Sequence, residues 1–253
     1  MAIAIEVENG LLSLRIERPA KKNALTQEMY IEMTEALQEA EDNQLIRVVL
    51  ITGCGDSFTS GNDLGDFIAA ASSQGGEVRA PLDFLQTLAA FPKPIVVAVN
   101  GLAIGIGTSM LLHCDYVLAS GAATFQMPFV KLGLVPEGAT SLLIPQLMGQ
   151  RLAFELLVLG ESISAERAQQ LGLVNQVVEP ELLDMVTMEL VERLLSLPPE
   201  AVQISKQMLK VSQQQAISAV IEAEGVAFKE RLFSTEANEA LTAFMEKRPP
   251  VFR

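Results

Sequence analysis

The sequence predicts an α/β fold, a core of buried strands and helices followed by a helical C-terminal segment. Val48-Val49-Leu50-Ile51-Thr52 and Ile95-Val96-Val97-Ala98-Val99 are short apolar, β-branched runs between turn residues. That is the pattern of strands buried on both faces. Each run leads through a glycine-bearing turn to a helix start. From Pro180 onward the pattern is helical and the strands stop. The expected division is an α/β core over residues 1–195 and a helical segment over residues 196–253.

The elements follow in order. Ile3-Ala4-Ile5-Glu6-Val7 and Leu12-Ser13-Leu14-Arg15-Ile16 alternate in polarity around a turn-forming Asn9-Gly10, which predicts a β-hairpin. Arg18 to Asn23 is a basic loop. Thr26 can cap a helix to about Asn43, with Met29, Met33, Ala36, Leu37 and Ala40 on one face. The strand at Val48 ends in the turn Gly53-Cys54-Gly55-Asp56. Phe58 to Leu64 leads into a short helix through Phe67, and Ala70 to Gly76 is the expected mobile loop. Phe84, Leu85 and Leu88 belong to a helix that Pro92 stops. Helices are also expected up to about Met148, from Arg151 to Leu159 and from Ala165 to Leu171, with a short strand from Val174 to Val178.

Composition narrows the function. The chain has 253 residues, 49% hydrophobic and 19% charged, enough for a sizeable core. Its formal net charge of −13 argues against nonspecific nucleic-acid binding, and an anionic ligand would need local cations. Cys54 and Cys114 are the only cysteines and have no metal-ligand spacing, consistent with a reducing cytoplasm. His113 is the only histidine, which nearly excludes a histidine triad or a multi-histidine metal site. No apolar run reaches the length of a membrane span and no signal-peptide pattern opens the chain.

The stretch from Ile95 to Ser120 organises the chain. A strand, a glycine-rich turn at Gly101, Gly105 and Gly107, and a helix at Thr108 to Leu112 follow one another. Free N–H groups collect at such a corner and bind a phosphate, a carboxylate or an oxyanion. Read alone, the corner is better explained by tight packing, because short glycine patterns are weak signals. The spacing is not a dinucleotide fingerprint.

Two segments taken together resemble the signatures of the crotonase superfamily, the enoyl-CoA hydratase/isomerase group. They are Phe58-Thr59-Ser60-Gly61-Asn62-Asp63-Leu64 and Ala98-Val99-Asn100-Gly101-Leu102-Ala103-Ile104-Gly105-Ile106-Gly107. Cys114-Asp115, the Arg18-Pro19 to Leu25 segment and Phe244 to Arg248 also match, so the resemblance covers essentially the whole chain. It implies a spiral of ββα units with a helical trimerisation segment. It implies an acyl-CoA substrate whose thioester oxygen is held by the main-chain N–H groups of Asn62 and Ile106. It places Ser60, Gly61, Asn62, Asp63, Leu64, Ala24, Lys21, Phe129 and Lys247 around the substrate. It implies no metal and no separate cofactor, coenzyme A being part of the substrate, and no nucleic-acid or membrane partner. A homotrimer or a pair of trimers is expected, with Val220, Val226, Phe228, Leu232, Phe233, Leu241 and Phe244 supplying more apolar surface than one layer needs.

Departures from the pattern narrow the reaction. Hydratases of this group carry glutamates where this chain has Ser109 and Phe129. Neither residue can handle the protons of an added water. The carboxylate left in the right region is Glu137, in Val135-Pro136-Glu137-Gly138-Ala139-Thr140, which resembles the Pro-Glu-Gly segment of the Δ3,Δ2-enoyl-CoA isomerases. Ser60 to Leu64 also resembles that subgroup. The resemblance therefore implies a 1,3-proton shift by one base, Glu137, from 3-enoyl-CoA to trans-2-enoyl-CoA. Glu137 taken alone reads as an acid in a helix's first turn, favourable to the helix dipole. Hydration, thioester hydrolysis or noncatalytic acyl-CoA binding are the alternatives. His113 reads as a satisfied core histidine and Asp63 as a helix cap at Leu64. Arg18, Lys21 and Lys22 read equally as contacts to coenzyme A phosphates or as a solvated loop. Lys247 and Arg248 are expected to reach a neighbouring subunit's site.

Overall fold

The computed structural model describes residues 2–66 and 79–252. The expected end of a helix at Phe67 and the expected loop Ala70–Gly76 lie outside the described residues.

The chain opens with β1 (Ile3–Glu8) and β2 (Leu11–Ile16), antiparallel around Asn9 and Gly10, both at positive φ. That pair of left-handed residues is the two-residue turn whose twist matches a hairpin. Helix α1 (Gln27–Asp42) follows, its first turn closed by Thr26, whose hydroxyl accepts from the Met29 N–H. All five residues expected on its buried face are buried, and Tyr30 joins them.

Three turns of a spiral come next. The first is β3 (Val48–Gly53), β4 (Ser57–Thr59) and α2 (Ala80–Ala90). The second is β5 (Ile95–Val99), β6 (Leu102–Ile104) and α3 (Ile106–Ser109), which tightens into a 3₁₀ turn at Met110–His113. The third is β7 (Tyr116–Ser120), β8 (Thr124–Gln126) and α4 (Thr140–Met148), reached through a loop. Then come α5 (Gln150–Leu157), β9 (Ile163–Ser164), α6 (Ala165–Gln170) and β10 (Gln176–Val178). The chain finishes with α7 (Leu183–Leu195), α8 (Pro199–Leu232) and α9 (Thr235–Met245).

The first strand of each turn joins a six-stranded sheet ordered β1-β2-β3-β5-β7-β10, parallel beyond the hairpin. The second joins a smaller sheet, β4-β6-β8-β9. The inner face of the large sheet packs Val49, Ile51, Val97 and Val99 against α1 and α2. Its outer face packs Val48, Leu50, Val96 and Ala98 under Leu183 and Val191 of α7. Cover on both faces is why these strands read as unbroken apolar runs.

Two expectations change. The strand β6 intervenes between Gly101 and the helix, and that helix begins at Ile106 rather than Thr108. Phe228, Leu232 and Leu241, expected to face a neighbour, are buried in this chain's own core with Phe129, Leu134 and Leu156. Val226, Phe233 and Phe244 do remain exposed.

Candidate active site

The site grows from the register of the small sheet. Strands β4 and β6 are parallel, with Thr59 opposite Ala103. Three residues beyond Thr59 is Asn62, and three beyond Ala103 is Ile106. Equal offsets from a shared rung carry both residues to the same end of the sheet. Gly61 makes the approach possible. Its φ is +88°, and a Cβ there would stand 2.8 Å from the Ile104 carbonyl oxygen. Beyond it, a single parallel bridge joins Asn62 to Leu25, in which Leu25 N–H donates to Gly61 O and Asp63 N–H to Leu25 O. The Asn62 N–H therefore points away from Leu25. Ile106 opens α3, so its N–H has no carbonyl one turn back. The helix is one α turn and one 3₁₀ turn, so these unpaired N–H groups matter more than a summed macrodipole.

Asn62 and Glu137 line one cavity of about 260 Å3. Its remaining walls come from α2 (Pro81, Leu82, Leu85) and α8 (Ile221, Gly225, Val226, Phe228, Leu232), with Arg79, Glu222 and Lys229 also lining it. The lining is mostly apolar.

Glu137 stands in the loop before α4 and not in its first turn, which begins at Thr140. It is 7% exposed, and its Oε1 is buried with no hydrogen-bond partner among the described residues. Burial first, and the nearby Glu224 carboxyl second, push its pKa up to about 8. The helix-terminus role that Glu137 could have had belongs to Glu224, whose carboxylate accepts the Ala139 and Ser141 N–H groups. His113 is buried, with Nε2 2.9 Å from the Gly138 carbonyl oxygen, and burial brings its pKa down to about 4. The neutral ring donates through Nε2, so the core histidine braces the loop that carries Glu137.

The other expected residues are dispersed. Ser60 N–H donates to Lys22 O. Asp63 accepts from the Gly65 N–H, as a cap does, and pairs with Arg18. Arg18 also donates to Ala24 O. Lys22 pairs with Asp56 at 2.6 Å, whereas exposed Lys21 makes no ion pair among the described residues. Leu64 packs beside the second core cluster. Phe129 is not in the cavity wall. It packs edge-on against Phe228, with ring centroids 6.5 Å apart, and so backs the wall. Ser109 Oγ donates to Gly105 O. Lys247 is exposed just beyond α9, at φ +54°.

Sequence reasoning missed Tyr30 and Glu224. Tyr30 sits on the apolar face of α1, and its hydroxyl donates to Asn62 Oδ1 at 2.6 Å. A buried tyrosine needs a partner, but nothing local names it. Glu224 lies among the charged residues of a long helix and meets residues 83 and 85 positions away.

This chain matches the family described as Enoyl-CoA hydratase/isomerase over residues 6–253. It belongs to that family. It is 34% identical over 98% of its length to enoyl-CoA delta isomerase 2 of Rattus norvegicus, of whose length it spans only 64%. It is 33% identical to crotonyl-CoA hydratase of Syntrophomonas wolfei, covering 99% of this chain and 97% of that one. A solved enoyl-CoA hydratase/isomerase from Pseudoalteromonas atlantica superposes with a TM-score of 0.95 at 41% identity, over 100% of both chains. The two sheets and the C-terminal helices are thus the crotonase-type spiral of the enoyl-CoA hydratase/isomerase family. Isomerases and hydratases stand at similar identity, so the choice of reaction falls to the site residues.

Proposed function

We propose that the protein is an acyl-CoA isomerase that converts a 3-enoyl-CoA to the conjugated trans-2-enoyl-CoA. One observation carries the reading: Glu137 lines a mostly apolar cavity, and its buried Oε1 has no hydrogen-bond partner among the described residues. A carboxylate raised to about 8 is a far better base near neutral pH than an exposed one.

Glu137 removes the α-proton of the thioester and becomes a neutral acid. The electron pair moves into the carbonyl, and the dienolate oxygen accepts from the N–H groups of Asn62 and Ile106. In other enzymes the loss of one such donor lowers the rate by roughly a hundred- to a thousandfold. Glu137 then returns the proton to the γ-carbon, and the double bond ends conjugated to the carbonyl. The carbonyl is the electron sink, so the reaction calls for no metal or redox group. Protons and electrons balance with one base.

Hydration is disfavoured by the same residues. It needs a water held and deprotonated on one side and a proton delivered on the other. Ser109 already donates to Gly105 O, and Phe129 is buried in the apolar core. Both Glu224 oxygens are occupied by main-chain N–H groups. Product analysis with a 3-enoyl-CoA and a 2-enoyl-CoA in parallel tests the proposal. Formation of 2-enoyl-CoA from the first is expected. Rapid conversion of only the second, to a 3-hydroxyacyl-CoA, would sink the isomerase reading.

A further inference from the structure

Glu137 and Glu224 lie on different elements, yet Glu224 holds the turn that follows Glu137 and its charge acts on that carboxyl. The loop between Glu137 and α4 turns through two successive left-handed residues, Gly138 at φ +72° and Ala139 at φ +57°. That conformation is unfavourable for a residue with a Cβ, so Ala139 needs support. Three groups supply it. The His113 ring donates to Gly138 O at 2.9 Å. Thr140 Oγ1 donates to Glu137 O at 2.8 Å. Glu224 accepts from Ala139 N–H at 2.6 Å through Oε2 and from Ser141 N–H at 2.9 Å through Oε1. Of the three supports, Glu224 alone brings a charge.

We propose that Glu224 is a positioning residue for the base: its carboxylate clamps the left-handed turn that aims Glu137 into the cavity and sets a second negative charge behind it. The inference rests on the reading of Glu137 as the base. Burial raises the Glu224 carboxyl as well, but its two N–H donors oppose that rise, whereas no hydrogen bond opposes it at Glu137, so Glu224 ionises first and Glu137 second. Glu224 thereby keeps Glu137 a strong base as well as a well-aimed one.

Among the described residues, Glu224 is the charged group that raises Glu137, and the other titratable groups nearby are engaged elsewhere. Tyr30 of α1 is neutral, its hydroxyl given to Asn62. His113 is neutral. Asp66 accepts the Gln27 N–H at the start of α1. Arg79 pairs with Asp83 and Glu222, and Lys229 is exposed on α8.

The test uses two readouts on the full chain. One is the pH profile of isomerase turnover. The other is the infrared titration of the Glu137 carboxyl without substrate, taken as the difference from a matched Glu137→Gln protein. In Glu224→Gln the amide has one acceptor for two N–H groups and no charge. Turnover is expected to fall at least about tenfold with KM within about threefold. Both midpoints are expected to move down by about one pH unit. Glu224→Asp keeps the charge but shortens the reach, so turnover is expected to fall while the infrared midpoint stays within about 0.3 units. This variant tests the clamp even if Glu224→Gln does not fold. An unmoved infrared midpoint in folded Glu224→Gln, or wild-type turnover in Glu224→Asp, overturns the proposal. Loss of the isomerase reading itself shows separately, as absent wild-type turnover, and leaves the infrared test standing.

Discussion

Glu137 is a buried carboxyl whose Oε1 has no hydrogen-bond partner among the described residues, and three consequences follow at the scale of this residue. Glu137→Gln keeps the size and removes the base, so isomerase turnover is expected to fall by at least about a hundredfold. Affinity for the acyl-CoA should change little, because the thioester oxygen is held elsewhere. Ser109→Ala is the matched control, and its turnover should persist. Second, the base must be ionised to work, and its pKa is pushed up to about 8. Turnover of the wild type is therefore expected to climb with pH through about 8, not to level off near 5 as for an ordinary carboxylate. Third, a carboxyl whose folded pKa lies above its unfolded value of 4.5 stabilises the fold below that value and loses the contribution as pH rises through about 8. Glu137→Gln should therefore gain in melting temperature relative to wild type between pH 5 and pH 8. Paired thermal melts at the two values check the sign, and a constant difference would mean that Glu137 titrates normally.

At the scale of elements, the small sheet sets the candidate oxyanion site. Asn62→Pro removes the N–H and is expected to lose most activity, whereas Asn62→Ala keeps the donor. The structure adds a cost to the second variant, because the Tyr30 hydroxyl would lose its acceptor inside the core. About 1–3 kcal/mol of stability should go with it, while turnover stays within about tenfold of wild type. Denaturation and rate measurements on both variants separate the two effects, and equal activity of two folded variants would mean that the donor is misplaced. The same sheet marks where the sequence became hard to read. β2, α1, β3 and β5 were legible because their burial writes a period or an apolar run of five or six residues, whereas β1, exposed over most of its length, was legible from its alternation beside the Asn9-Gly10 turn. β6 and β9 have three and two residues, too short for a period, and exist through their neighbours in the sheet. β7 hides in the apolar continuation of Leu111 and Leu112. Asn62, Ile106 and Glu137 were legible because their motifs are local. Tyr30 and Glu224 were not, since each acts on a residue far away in the chain.

For the whole molecule, the remaining issue is the surface of the last two helices. Met208, Leu209 and Val211 on α8, and Phe244 and Met245 on α9, are more than half exposed. Apolar surface of this kind on a chain of charge −13 is expected to be covered by further copies. Sedimentation should give a trimer or a pair of trimers, and a compact monomer at micromolar concentration would reject that assembly. The sequence could not separate these residues from Phe228, Leu232 and Leu241, because inward and outward apolar faces of a long helix look alike before its neighbours are placed. The most direct test of the catalytic reading is turnover of a 3-enoyl-CoA in deuterated buffer by the wild type and by folded Glu137→Gln. The wild type is expected to form trans-2-enoyl-CoA and to exchange the substrate α-proton with solvent, and the variant to do neither. Near-normal product formation by the variant would contradict the assignment of Glu137 as the base.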